Sequence, residues 1–223
     1  MMIPVITIDG PSGSGKGTIA QNVANQLGWH ILDSGSLYRL TALACIQDNI
    51  DFEDELTIES IARNLPVSFD STPDGLKILL KNQDVSDDIR DESIGMAASK
   101  VAALGAVREA LLERQRAFVS EPGLIADGRD MGTTVFPQAR LKIFMTASCE
   151  ERAQRRYKQL KEKGISVSLP ALVADLKARD EQDSNRPISP LKPATDAIVI
   201  DSSDMTIDQV TQKVLALAKQ SFC

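Results

Sequence analysis

One stretch near the start of the chain restricts its fold more than any other. Residues 5–8 are an apolar run with β-branched character that indicates a buried strand. Residues 10–18 follow with the sequence Gly-Pro-Ser-Gly-Ser-Gly-Lys-Gly-Thr, and apolar residues then recur at helical spacing as far as Leu27, where Gly28 can cap the helix. A strand, a glycine-rich loop and a helix in this order predict a phosphate-binding loop.

The loop departs from the common pattern at one position. Its glycines allow successive amides to converge on an anion, and the helix behind it adds the positive end of its dipole. Lys16 can reach the β- and γ-phosphates of a bound triphosphate. The strict pattern has Ser or Thr directly after this lysine, whereas here Gly17 comes first and Thr18 second. Thr18 is therefore the candidate ligand for Mg²⁺.

Composition limits the class of protein. The 223 residues suffice for one α/β domain with an insertion, or for two small domains. A formal charge of −6 argues against a general binder of nucleic acids or anionic membranes, because such surfaces are usually basic. The three cysteines are far apart and lack CxxC spacing, which argues against a disulfide framework or a zinc site.

Neither a targeting segment nor a membrane span is predicted. No apolar run approaches the ~18 residues that cross a bilayer. Residues 1–4 do not form a basic segment followed by an apolar stretch, as a signal peptide would. We therefore expect a cytoplasmic protein that does not bind membranes, and a monomer, since no heptad or other interface pattern is visible.

Strands and helices alternate along most of the chain. Further core strands are predicted at residues 30–32, 124–126, 141–145 and 197–200. Helical patterns follow them, including a long one at residues 94–119 with a candidate break at Gly105, and others at residues 150–163 and 171–183. Thr206 and Gln209 have the spacing of a capping box for a last helix. This alternation predicts a mostly parallel sheet with right-handed crossovers.

Residues 47–93 interrupt that alternation. Residues 48–59 are acidic and polar, with few apolar anchors. Two strand patterns at residues 67–69 and 76–80 flank a Pro-Asp-Gly turn signal. We interpret this region as a small antiparallel sheet in an inserted subdomain.

Arginines and aspartates are available where a parallel sheet binds its ligands, at the carboxyl ends of the strands. Arg129 follows a core strand and lies between aspartates. A charged side chain without a binding or structural role would be unusual there. Arg155 and Arg156 lie on a helix with further lysines, and this helix is either a solvated basic face or a lid over a nucleotide. Transfer between two phosphates requires such cations, because nucleophile and electrophile repel each other.

Four stretches give the chain a family resemblance. They are residues 8–18, residues 32–39 (Leu-Asp-Ser-Gly-Ser-Leu-Tyr-Arg), residues 123–133 (Gly-Leu-Ile-Ala-Asp-Gly-Arg-Asp-Met-Gly-Thr), and the spacing Arg-Asp-x-x-Asp-x-x-Arg at residues 179–186. The chain resembles the bacterial cytidylate kinases, within the nucleoside monophosphate kinase group of phosphate-binding-loop proteins. The resemblance covers essentially the whole chain, and the Gly-Thr ending of the loop is usual in that group.

The resemblance implies a fold and a domain organisation. The fold is an α/β P-loop NTPase type: a five-stranded parallel sheet with flanking helices, an inserted small antiparallel β subdomain and a basic helical lid. Residues 1–223 would form a single nucleoside monophosphate kinase domain. Its core would comprise residues 1–46 and 94–223, its monophosphate-binding subdomain residues 47–93 and its lid residues 150–170.

The resemblance also implies an activity and a set of site residues. ATP, with Mg²⁺, would phosphorylate CMP or dCMP. The residues expected at ATP are Gly10, Pro11, Ser12, Gly13, Ser14, Gly15, Lys16, Gly17, Thr18, Arg155 and Arg156. Those expected at CMP are Ser34, Arg39, Ser99, Arg108, Arg129, Asp130, Arg179, Asp183 and Arg186. The residues expected to take part in catalysis are Lys16, Asp127, Arg129 and Arg186.

The chemistry of cytosine agrees with three of these assignments. Asp130 and Ser34 can accept hydrogen bonds from its amino group, and Arg108 can donate to the ring nitrogen and carbonyl. Uracil reverses donor and acceptor at two of those positions, and an unmatched buried group costs about 1–3 kcal/mol. We therefore expect a preference for cytosine with residual activity on UMP.

Three other functions are alternatives for a chain with a phosphate-binding loop. A kinase for another acceptor, such as UMP, is the nearest alternative. A GTPase-type switch would carry an Asn-Lys-x-Asp base reader and an Asp-x-x-Gly switch, and the sequence contains neither. An ATPase acting on nucleic acid would have a basic composition and aromatic stacking residues, whereas only 4% of this chain is aromatic.

Overall fold

The computed structural model describes residues 3–72, 75–162 and 164–222. In chain order the strands are β1 Val5–Asp9, β2 His30–Asp33, β3 Val67–Thr72, β4 Gly75–Leu80, β5 Gln83–Asp84, β6 Leu124–Gly128, β7 Leu141–Thr146 and β8 Ile198–Asp201. The α-helices are α1 Lys16–Leu27, α2 Ser34–Gln47, α3 Glu55–Arg63, α4 Glu92–Val101, α5 Gly105–Arg116, α6 Cys149–Glu162, α7 Leu169–Ser184 and α8 Ile207–Phe222. Among the helices of these ranges, none combines the length and the apolar composition of a membrane-spanning segment.

The chain divides into two compact units. The first comprises Met1–Asp33 and Arg116–Cys223, and the second comprises Ser34–Gln115. The first unit contains a parallel five-stranded sheet in the order β2-β6-β1-β7-β8. The second contains an antiparallel sheet in the order β3-β4-β5. Both predicted sheets are thus confirmed, and the predicted insertion of residues 47–93 lies inside the second unit.

The register of the parallel sheet places its acidic residues together. Asp127 of β6 lies opposite Asp33 of β2 on one side and Ile8 of β1 on the other. Ile6, Ile8 and other apolar side chains of the central strands are fully buried, as a strand covered on both faces requires. The strand ends that carry polar residues therefore project from a rigid core.

Helix α8 shows the predicted capping box. The backbone N–H of Thr206 donates to Oε1 of Gln209 at 2.8 Å, and the backbone N–H of Gln209 donates to Oγ1 of Thr206 at 3.2 Å. Val210 and Val214 of this helix are buried against the sheet. Ile207, the first residue of this helix, is 51% exposed, because the buried stripe begins one turn later.

Some local elements were only partly predicted from the sequence. The acidic stretch after residue 47 contains helix α3, which is capped by Asp54 and buries Ile58 and Ala62. The helical pattern at residues 94–119 is two helices, and the candidate break at Gly105 is confirmed, because the second helix begins there. The antiparallel sheet also contains the short strand β5, in addition to the two strand patterns predicted from the sequence. Of the predicted 73–75 turn, residues 73 and 74 lie outside the described residues.

Candidate active site

The loop between β1 and α1 requires glycine at defined points. Gly13 and Gly15 have φ values of 76° and 86°, in the left-handed region that favours glycine. At Gly10 the reason is close approach, since a Cβ atom would lie 2.2 Å from the carbonyl oxygen of Met145. The loop thus follows the carboxyl end of the central strand and leads into the first turn of α1.

Lys16 is the first residue of α1 and is buried. Its Nζ donates to the carbonyl oxygen of Pro11 at 3.2 Å, so the side chain folds back over the loop. Burial, together with the positive charge of Arg129, lowers the pKa of Lys16 to about 8, against the opposing effect of Asp127. An anion in the loop would favour the charged form of this lysine.

Asp127 lies close to Gly17, the residue that follows the lysine. A Cβ atom at Gly17 would lie 3.2 Å from Oδ2 of Asp127, so a side chain there would press on this carboxylate. Burial raises the pKa of Asp127 to about 7, although the charge of Lys16 opposes the rise. Its Oδ1 is buried and accepts no hydrogen bond from any described residue.

The donor set is compatible with Mg²⁺ rather than with a closed metal cage. Within the described ranges, no group of three or more His, Cys, Asp or Glu side chains could hold a metal. Mg²⁺ usually binds one or two carboxylates and completes its shell with water and substrate phosphates. The unsatisfied Oδ1 of Asp127 fits that role. Thr18, the predicted ligand, is exposed on the first turn of α1.

A second cluster joins the residue after β6 to the end of α7. Nε of Arg129 donates to Oδ2 of Asp183 at 2.8 Å, and Arg186 forms an ion pair with the other oxygen of Asp183. Asp183 and Arg186 are buried, and Arg129 is partly exposed. Although burial favours the neutral acid, these two guanidinium groups hold the pKa of Asp183 below its usual value. The cluster therefore fixes two cations around one carboxylate.

The charges around Lys16 and those around Asp183 act on each other. The charges of Arg129 and Arg179 both lower the pKa of Lys16, and Arg179 also acts on Asp183. Lys16 and Asp183 therefore both interact electrostatically with Arg129 and Arg179, and Lys16 and Arg129 follow the neighbouring strands β1 and β6 at the carboxyl edge of the sheet. This concentration of cations beside a phosphate-binding loop can stabilise negative charge on transferring phosphoryl groups.

Asp9 was not recognised from the sequence as a site residue. Its two carboxylate oxygens accept hydrogen bonds from the backbone N–H groups of Met131 and Gly132, each at 2.8 Å. Burial raises the pKa of Asp9 to about 6, against these two hydrogen bonds. Asp9 thereby holds the π-helical turn of Met131–Val135, which directly follows Arg129 and Asp130.

The arginines of α6 contact the loop in different ways. Arg152, which was not predicted to bind ATP, is buried and donates to the carbonyl oxygen of Ser12 at 2.9 Å and to Asp180. Arg155 donates to the carbonyl oxygen of Ser202 at 2.6 Å and to that of Ser14 at 3.4 Å. Arg156, the other predicted ATP-binding arginine, is half-buried on the same helix.

The second unit contains the remaining predicted acceptor residues. Ser34 is buried and donates from Oγ to Oε1 of Gln115 at 2.8 Å. Arg39 donates to the carbonyl oxygen of Ile89 at 2.6 Å. Oγ of Ser99 donates to the carbonyl oxygen of Gly95 at 3.2 Å.

Arg108 is held in the same unit by two contacts. It donates to the carbonyl oxygen of Ala102 at 3.1 Å. Its guanidinium lies 5.6 Å from the centre of the Tyr38 ring. Arg108 is also buried.

Known proteins that are similar to this chain identify its family. A family model described as cytidylate kinase matches residues 6–220. The chain belongs to the cytidylate kinase family. A cytidylate kinase of Aeromonas salmonicida (strain A449) is 55% identical over 219 residues, covering 98% of this chain and 95% of its own. A cytidylate kinase of Pseudomonas fluorescens (strain Pf0-1) is 57% identical over 215 residues, covering 96% of this chain and 94% of its own.

The raised pKa of Asp127 predicts that the stability of the protein depends on pH. Because folding raises the pKa of this carboxyl from 3.8 to about 7, its contribution to stability is complete below about pH 4 and is lost as the pH rises through 7. The variant Asp127→Asn has no titrating carboxyl at this position, so its stability does not decrease with pH for this reason. The free energy of unfolding of the variant, minus that of the wild type, should increase by more than ~1.4 kcal/mol between pH 5 and pH 8.

Denaturant titrations at several pH values measure this difference. Asp201→Asn is the matched control, because Asp201 is exposed and hydrogen bonds from Ser203 lower its pKa, so the carboxylate stays ionised throughout that pH range. The difference in the free energy of unfolding between Asp201→Asn and the wild type should not change with pH. A flat profile for Asp127→Asn as well would contradict a raised pKa.

Proposed function

We propose that this chain transfers the γ-phosphoryl group of ATP to CMP or dCMP, giving ADP and CDP or dCDP. The observation that carries the proposal is the set of cations beside the phosphate-binding loop in a member of the cytidylate kinase family: Lys16, Arg129, Arg179 and Arg186. A direct transfer between two polyanions needs positive charge and positioning rather than a protein nucleophile.

The donor side of the proposal rests on the loop. Residues 10–18 would surround the ATP phosphates with backbone amides, and Nζ of Lys16 would exchange its bond to Pro11 for one to a phosphate oxygen. Arg155, already bonded to the loop carbonyl of Ser14, would support ATP from α6 together with Arg156. Mg²⁺, when bound with ATP, supplies further neutralisation of phosphate charge, and Asp127 and Thr18 are the residues that would hold it.

The acceptor side rests on arginines with fixed orientations. Asp183 orients the guanidinium groups of Arg129 and Arg186, which can then donate to the acceptor phosphate in two directions. We propose that Arg39 adds to this phosphate site, and that Arg179, Asp183 and Ser99 contact the sugar. Arg108, Ser34 and Asp130 would recognise cytosine by the donor and acceptor pattern given above.

Exclusion of water is the remaining requirement. A kinase must keep water from accepting the γ-phosphoryl group, and closure of mobile elements over bound nucleotides achieves this in many kinases. We propose residues 150–170 as the closing lid and residues 47–93 as the insertion of the monophosphate-binding subdomain. ATP and CMP or dCMP would be the partners of a monomeric cytoplasmic enzyme.

A coupled ADP-release assay tests the proposal. The purified protein is given ATP, Mg²⁺ and one of CMP, dCMP, UMP, AMP or GMP. The highest kcat/KM is expected with CMP or dCMP, with residual turnover of UMP, because uracil mismatches two recognition groups. Turnover of UMP, AMP or GMP far above that of both cytosine nucleotides would overturn the assignment.

A further inference from the structure

Ser34 and Gln115 form a buried pair at the two ends of the second unit. Ser34 begins α2, and Gln115 lies in the last turn of α5. The side chains are 3% and 1% exposed, and the Ser34 Oγ to Gln115 Oε1 distance is 2.8 Å. Gln115 belongs to none of the motifs in the sequence and is not among the residues proposed above to bind either nucleotide.

A second hydrogen bond fixes which end of the Gln115 amide faces Ser34. Nε2 of Gln115 donates to the carbonyl oxygen of Leu111 at 3.3 Å. A carbonyl oxygen can only accept, so the amide nitrogen must point to Leu111 and the amide oxygen to Ser34. The amide oxygen also only accepts, and therefore the single hydroxyl proton of Ser34 is committed to Gln115.

We propose that Gln115 is a specificity-determining positioning residue, which makes the Ser34 hydroxyl an acceptor only towards the bound base. An acceptor-only hydroxyl binds an exocyclic amino group, as on cytosine, and opposes a carbonyl oxygen, as at the same position of uracil. A serine with a free proton could rotate and donate to that carbonyl, and would accept both bases. This inference rests on the proposed function, because it assumes that Ser34 contacts the base.

The variant Gln115→Met tests the inference. Methionine matches glutamine in length but cannot accept the Ser34 proton, so the hydroxyl is released to donate to uracil. The ratio of kcat/KM for CMP to that for UMP should fall by about tenfold or more, the equivalent of one buried hydrogen bond. Gln115→Leu is made in parallel, so that the ratio is measured on whichever apolar variant folds.

Two further variants separate positioning from support of the fold. Gln115→Glu keeps an acceptor oxygen towards Ser34 in either protonation state, since a protonated carboxyl would donate to Leu111, and it should retain the wild-type ratio. Thr41→Val is the matched control, because Thr41 is fully buried in α2 and donates to the carbonyl oxygen of Leu37 at 2.9 Å. It should lower stability and leave the ratio unchanged.

The outcomes distinguish this inference from the proposed function. Equal losses of kcat/KM for CMP and UMP in the apolar variants, with an unchanged ratio, would show a structural role only and overturn the inference. A loss of selectivity in Gln115→Glu as large as in Gln115→Met would overturn it too. If the wild-type protein itself does not prefer CMP over UMP, the proposed function fails instead.

Discussion

Replacing Lys16 with alanine is expected to lower kcat for phosphoryl transfer from ATP to CMP by at least ~100-fold, the cost typical of removing one preorganised charge-stabilising donor. Lys16 is the cation that begins α1, and its Nζ already lies over the loop through Pro11. Stability should not fall with activity, because burial disfavours the charged lysine in the free protein and lowers its pKa. The coupled assay and a thermal unfolding curve on the same sample measure both quantities.

Lys142→Met provides the matched control for this result. Lys142 is a buried lysine of the same unit, and its Nζ donates to the carbonyl oxygen of Pro137 at 2.7 Å and to Asp196. Its loss should reduce stability and leave kcat near the wild-type value. Near-normal turnover by Lys16→Ala would refute the role assigned to the loop.

Replacing Arg129 with methionine should have the second largest effect. Asp183 would keep Arg186 but lose the hydrogen bond from Nε of Arg129, and the acceptor phosphate would lose one of its two oriented guanidinium groups. We expect kcat/KM for CMP to fall by about 100-fold or more, as for other groups that stabilise transition-state charge. The dissociation constant of ATP, measured by calorimetry, should change far less.

An arginine of the same unit serves as the comparison for this variant. Arg116 donates from Nε to the carbonyl oxygen of Val135 at 3.1 Å and belongs to none of the proposed nucleotide contacts. Arg116→Met should therefore cost stability rather than kcat/KM. If Arg129→Met weakened the binding of ATP as much as it lowered kcat/KM for CMP, an acceptor-side role would be contradicted.

Much of the fold could be predicted because its signals are local. The strands of the parallel sheet are short apolar runs, and the ends of α1 and α8 are marked by glycines and a capping box. The second unit was harder to predict. Helix α3 has an N-cap at Asp54 and buries only Ile58 and Ala62, so its apolar stripe is too sparse to stand out among acidic residues.

The candidate site was predictable where residues belong to motifs, and not where they act through tertiary contacts. Lys16, Arg129 and Asp183 all lie in recognisable stretches. Asp9 holds backbone amides more than 120 positions away, and Gln115 meets Ser34 across 81 positions. Such partners depend on sheet register and helix packing, which a single sequence does not reveal.

Phosphorus NMR of one reaction mixture tests the central claim most directly. The wild-type protein is incubated with Mg²⁺, ATP and CMP, and the phosphorus resonances are followed in time. Transfer to the acceptor predicts that ADP and CDP appear in equal amounts, with little inorganic phosphate. Inorganic phosphate accumulating in step with ADP, while CMP stays unchanged, would contradict a cytidylate kinase activity.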